Sequence, residues 1–170
     1  VAAVVLVVVS LLPITPGHTK FFEHDNSENW IAYEYAWNIL AGLDENAIVF
    51  TNGDNDTFPI WYLQEVEKFR TDVTVVNLSL VNLPWYVKQL RNHPEKPLAM
   101  QRDDKMIDEL RHRVFEDPET GERTVLMIKD YVVHDIITTT HADGKLPVFF
   151  AVTIPTENME RYFANLQMEG

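Results

Sequence analysis

The residues best suited to chemistry lie in one short run, Thr51-Asn52-Gly53-Asp54-Asn55-Asp56-Thr57. Asp54 and Asp56, with an amide between them, offer hard oxygen ligands to a divalent cation. The same groups accept hydrogen bonds from sugar hydroxyls. Asp54-Asn55-Asp56 also fits the Asp-x-Asp pattern with which many nucleotide-sugar transferases hold a metal, though the tripeptide is short and common. A structural reading stands beside these. Asx side chains tighten turns, and Asp56 or Thr57 can cap a helix N-terminus, where the dipole favours an anion. The calcium-loop pattern fails, because Asp54 has no downstream ligand series closing on a Glu.

A second polar group, Asn77, Ser79 and Asn82, can join the first if both emerge on one edge of a sheet. Trp61 or Trp85 then supplies a stacking platform, and aromatic rings beside amides suit a sugar face; a Trp in a helix core is the alternative fate. The six histidines include no His-Glu-x-x-His, and His24-Asp25 and His134-Asp135 are adjacent pairs whose side chains diverge in regular structure. A zinc site is not expected. The signatures of serine hydrolases, phosphate-loop enzymes and dinucleotide binders are absent.

The patterning supplies a scaffold for these groups. Trp30, Tyr33, Trp37 and Leu40 predict a helix over 25–43, started by Asp25 or Ser27 and ended by Gly42. Ala47–Thr51 reads as a buried strand. Pro59–Arg70 reads as a helix with Ile60, Leu63, Val66 and Phe69 inward, and Val73–Leu78 as a second strand. Strand, helix and strand make a βαβ unit with parallel strands, closing right-handed. A short helix follows Leu83, with Pro84 in its first turn, and one or two helical turns fall in 103–110. A hairpin is expected around Asp117–Gly121, a helix over 129–140 (whose β-branched content would also suit a strand), a third strand over 147–154 and a helix from Thr156. The sum is an α/β fold, a mainly parallel sheet flanked by helices in a Rossmann-like layered domain with a short hairpin insertion. In such sheets ligands sit beyond the strands' carboxyl ends, where residues 51–57 emerge.

The 170 residues carry 14 basic and 26 acidic side chains, a formal charge of −12. The length suits one main domain, and the acidity argues against a nucleic-acid or anionic-lipid surface. With no cysteine, disulfides, thiol catalysis and Cys-based zinc sites are excluded. Residues 1–14 hold twelve apolar side chains and no charge. They read as the end of a transmembrane helix that begins outside this sequence, or as a Val-rich buried strand; a full span takes about 20 apolar residues. Residues 20–170 form the soluble domain.

The run Ala47–Pro59 with Trp61–Glu67, then Asp72-Val73, Val76–Leu80 and Pro84–Tyr86, resembles a bacterial polytopic membrane family of unknown function. That family is similar to eukaryotic protein O-mannosyltransferases of the glycosyltransferase-C type. The resemblance covers nearly all of residues 20–170 and implies that many membrane helices precede a domain on the periplasmic or extracytoplasmic side of the bacterial inner membrane. His24-Asp25 is similar to the start of a family His-Asp-Arg-Ser motif, but Asn26 stands at the Arg position. The segment Leu166–Gly170 resembles one that continues in the family, which implies a chain clipped at both ends. The lipid-phosphate sugar donor of such enzymes is implied only for the full-length protein, whose catalytic acid lies in a loop between early membrane helices.

Three readings follow. In the first, the chain is an extracytoplasmic accessory domain that positions a polypeptide or glycan acceptor through Asp54, Asn55, Asp56, Thr57, Asn77 and Ser79, with Trp61 or Trp85, beside its own upstream membrane helices. In the second, it is a self-contained metal-dependent transferase or hydrolase with Asp54 and Asp56 as ligands. In the third, it is a structural packing domain.

Overall fold

The structure, a computed structural model, describes residues 2–11, 20, 23–116, 121, 123–144 and 146–168. The chain divides into two units, Val1–Ile31 and Ala32–Gly170. In the first unit the apolar leader is a helix, α1 (Ala2–Leu11), and not a strand. Among the described residues no helix is long and apolar enough to cross a membrane. The Asp25 carboxylate accepts the Ser27 N–H at 2.9 Å, and Asn29 Oδ1 accepts the Ile31 N–H at 3.3 Å. These Asx contacts hold 25–30 in a turn, so the next helix starts later than its apolar stripe predicts.

That helix is α2 (Ile31–Ala41), and from Ala32 on it opens the second unit. It is followed by β1 (Ile48–Thr51), α3 (Asp54–Glu65), β2 (Thr74–Asn77), α4 (Pro84–Arg91) and α5 (Asp104–Asp108). A hairpin of β3 (Arg113–Glu116) and β4 (Arg123–Leu126) leads to α6 (Ile128–Asp143) and β5 (Val148–Phe150). Residues 156–165, expected as a helix, form two 3-10 segments, Thr156–Asn158 and Glu160–Asn165. The hairpin is antiparallel and solvent-exposed; the predicted turn at 117–120 lies outside the described residues.

The main sheet has the order β2-β1-β5, all parallel, with Thr51 paired to Asn77 and Phe50 to both Val76 and Phe150. It is the α/β layered sheet that the sequence predicts. Side chains alternate faces along a strand. Ile48, Phe50 and Val76 therefore join the core under α4 and α6, with Val87, Val132 and Ile136. Val49 and Val75 face α2 and α3, against Ala36, Leu40, Ile60 and Leu63. Each such buried Leu, Ile or Phe contributes about 1.5–3 kcal/mol by leaving water. Trp37, predicted on the inward stripe of α2, instead stacks on Phe69 at 5.8 Å and stays 44% exposed.

The helix after β1 starts at Asp54, five positions before the predicted Pro59, which lies inside it. It also stops at Glu65 rather than Arg70. Lys68 takes a left-handed φ of 55°, and the Phe69 N–H turns back to the Leu63 carbonyl at 3.0 Å. The bond spans one residue more than the usual closure of a helix end on a left-handed residue, and it forms here without glycine.

The amino ends of the strands are tied by Arg70. Its guanidinium donates to the Leu40 and Leu43 carbonyls at 2.7 Å each, to the Asp44 carbonyl at 2.7 Å, and to both Asp72 oxygens at 2.9 Å. Asp72 also accepts the Asn46 N–H at 2.9 Å, and these partners hold its carboxyl down at about 2. Of the three carbonyl acceptors, that of Leu40 belongs to the last turn of α2, where a helix leaves carbonyls unpaired, and the other two follow the helix.

Candidate functional site

The opposite end of the sheet carries the candidate site. Thr51 and Asn77 end β1 and β2 on the same face because they are register partners. Asn77 Nδ2 donates to Thr57 Oγ1 at 2.9 Å, and the two threonine hydroxyls, Thr51 and Thr57, share a hydrogen bond of 2.7 Å. Asn77 Oδ1 accepts the N–H groups of Ser79 and Leu80 at 2.8 and 3.0 Å, and the Ser79 hydroxyl donates to the Asn52 carbonyl at 3.0 Å. Thr51, Thr57 and Asn77 are fully buried. This network is a fastener between two strand ends and the first turn of α3.

Asp56 is 3% exposed. Its carboxylate accepts the Asn52 N–H at 3.0 Å and the Thr153 hydroxyl. The expected caps are not formed: the residue before the helix is Gly53, with no side-chain cap, and Asp56 reaches back instead to the backbone ahead of the helix. Thr57 likewise bonds to side chains of β1 and β2 and not to the helix backbone. The Asp56–Thr153 contact bridges the first turn of α3 and the loop after β5. The order β2-β1-β5 places successive connections on opposite sides of β1, so this is the sheet's topological switch point. The Tyr35 hydroxyl of α2 is buried there beside Thr153 and Asp56, and burial, with the Asp56 charge assisting and Thr153 opposing, pushes it above its ordinary value.

Asp54, Asn55 and Ser79 are exposed at this rim. Asp54 and Asp56 are two positions apart on α3, turned by about 200° around its axis, so one carboxylate meets solvent while the other is buried. Among the described residues no group of three or more His, Asp or Glu is placed to hold a metal ion. Trp61 packs against both core clusters and tilts against Phe58 at 5.7 Å. It lines a cleft of about 280 Å3 with Thr74, Val75 and Tyr86, beside β2. Trp85 is 56% exposed and meets Tyr86 edge-on at 5.8 Å. Thr153 and Tyr35 carry no sequence signal for this site. The pairing of β1 with β5 brings Thr153 to Asp56, and the packing of α2 on the sheet brings Tyr35.

This arrangement defines a class: an α/β domain with a polar rim at the carboxyl ends of a parallel sheet. Residues 32–112, from the second residue of α2 through β1, α3, β2, α4 and α5, match the family described as TMEM260-associated domain 2. The chain is similar to the protein O-mannosyl-transferase tmem260 of Dictyostelium discoideum, 31% identical over 62 residues, which are 36% of this chain and 8% of that protein. It is also similar to the protein O-mannosyl-transferase TMEM260 of Mus musculus, 28% identical over 69 residues, 41% of this chain and 10% of the relative. The chain thus matches only about a tenth of the length of these curated relatives. No solved structure matches it. The chain is related to O-mannosyltransferase-like proteins, as its sequence motifs imply. The relatives are eukaryotic, whereas those motifs point to a bacterial family.

Proposed function

We propose that the chain is the extracytoplasmic accessory domain of a multi-pass, O-mannosyltransferase-like membrane protein, and that its rim positions a polypeptide or glycan acceptor near the membrane. The observation that carries this reading is the match to TMEM260-associated domain 2 over residues 32–112, the stretch that builds most of the rim. The exposed groups suit the task. Asp54, Asn55 and Ser79 offer acceptors and donors to hydroxyls or peptide groups, and Trp85 offers an aromatic face. The inner groups Asp56, Thr57 and Asn77 serve to fix the strand ends that carry them. Sugar transfer and the lipid-phosphate donor belong to the membrane helices of the full-length protein, and the resemblance of the motifs favours the bacterial inner membrane as its setting.

The test is mannosyl transfer by the full-length protein to a peptide acceptor. Asp54→Ala, Ser79→Ala and Trp85→Ala should each raise the acceptor KM several-fold with little change in kcat, the signature of lost ground-state binding. An unchanged KM in all three opposes the reading, as does sugar transfer from a soluble donor by the 170-residue chain alone. Calorimetry with Mg2+, Mn2+ and Ca2+ separates the metal-dependent alternative, which requires a binding heat that Asp54→Ala abolishes. The structural role of the inner set has its own support in its burial. Asp56→Asn should lower stability by about 1 kcal/mol and leave transfer intact.

A further inference from the structure

A second cleft, of about 430 Å3, opens where the first turns of α6 meet the 3-10 segments of residues 156–165. Its volume falls within the range occupied by small-molecule ligands. Arg102, Lys129 and Arg161 line it, with His134 beside them. Three permanent cations around one concavity run against the net charge of −12. Asp130, whose carboxylate accepts the Met127 N–H at 2.7 Å, and the exposed Glu157 share the lining and keep their charges, so three cations against two carboxylates leave an excess of one positive charge. Among the described residues neither Lys129 nor Arg161 is in an ion pair. Arg102 pairs with the buried Asp135 at 2.9 Å, which occupies part of a five-donor guanidinium.

We propose that this cleft binds a small oxyanion, the phosphate or carboxylate end of a polar molecule, through Lys129 and Arg161, with Arg102 completing the donor set. The site is separate from the rim and does not depend on the rim's role. Inorganic phosphate and acetate are the probes, titrated into the whole chain by calorimetry at an ionic strength held constant with sodium chloride. Saturable binding of at least one probe at about 10 mM or below is expected, weakened about tenfold or more in Lys129→Gln and in Arg161→Gln. Preference for phosphate or for acetate tells which end group the site takes. Amide shifts in NMR spectra confined to residues 129–134 and 157–162 would place the ligand in this cleft. The proposal is overturned if neither probe binds above the chloride baseline, or if the double variant Lys129→Gln/Arg161→Gln, folded by circular dichroism, binds as tightly as the parent.

Discussion

Tyr86→Phe removes a single oxygen from the edge of the sheet. β2 is an edge strand, and its outward backbone groups would face water or another chain. The Tyr86 hydroxyl takes the place of a neighbouring strand. It accepts the Asn77 N–H at 3.1 Å and donates to the Val75 carbonyl at 3.3 Å. Tyr86 is 4% exposed, and burial raises its hydroxyl above the ordinary tyrosine value. Phenylalanine keeps the ring packing but strands a buried donor and a buried acceptor. An unmade buried donor costs about 1–3 kcal/mol, and the longer second bond contributes less, so the loss should be about 2 kcal/mol. For a chain of this size that lowers Tm by about 4–8 °C. Urea unfolding followed by tryptophan fluorescence measures it, with an unchanged m value as the sign that the folded and unfolded states are otherwise alike. The variant should also self-associate more at high concentration, through the reopened edge. A loss below about 0.5 kcal/mol would mean that these backbone groups find other partners, and the edge-sealing argument would fail.

Arg70→Met deletes the guanidinium that joins α2 to the amino ends of the strands, and should cost about 3 kcal/mol by urea unfolding. The partner carboxyl of Asp72 is held at about 2. A depressed carboxyl stabilises the fold above its unfolded value near 3.9, and that stability is lost as pH falls through the folded value. Between about pH 5 and pH 2, stability should therefore drop by an extra 1–2 kcal/mol after allowance for partial exposure, and Asp72→Asn should flatten that part of the urea-midpoint profile. Thr153→Val removes a hydrogen bond to Asp56 and should lower stability by about 1 kcal/mol in thermal melts, with Thr153→Ser restoring it. Lys68→Gly relieves a left-handed backbone at an exposed position and should raise the urea midpoint by about 0.5–1 kcal/mol of stability.

The βαβ core was legible because its strands are short apolar runs and its helix shows the inward set Ile60 and Leu63. The limits of that helix were not. Proline favours a first turn, so Pro59 looked like a start. In the fold Pro59 sits within α3, where its missing N–H cannot pair with the carbonyl of the exposed Asn55. The helix end depends on a lysine in a glycine-like conformation, which residue type alone does not announce. At the rim, local sequence located Asp54–Thr57 and Asn77–Ser79 on one edge of the sheet, since both follow parallel strands. Which of them face water could not be read, because that depends on Tyr35, Thr153 and the register of β1 with β2. The cationic cleft left no motif at all. Its residues come from the stretch before α5, the start of α6 and the last 3-10 segments, and meet only through the packing of the fold.

The Arg70 clamp has an evolutionary corollary. Three of its five hydrogen bonds end on main-chain carbonyls, those of Leu40, Leu43 and Asp44. Every amino acid supplies a carbonyl, so drift at positions 43 and 44 leaves the clamp intact, whereas no other side chain reproduces a five-donor planar fork. Across relatives, positions 70 and 72 should change together or hardly at all while the turn they grip varies freely.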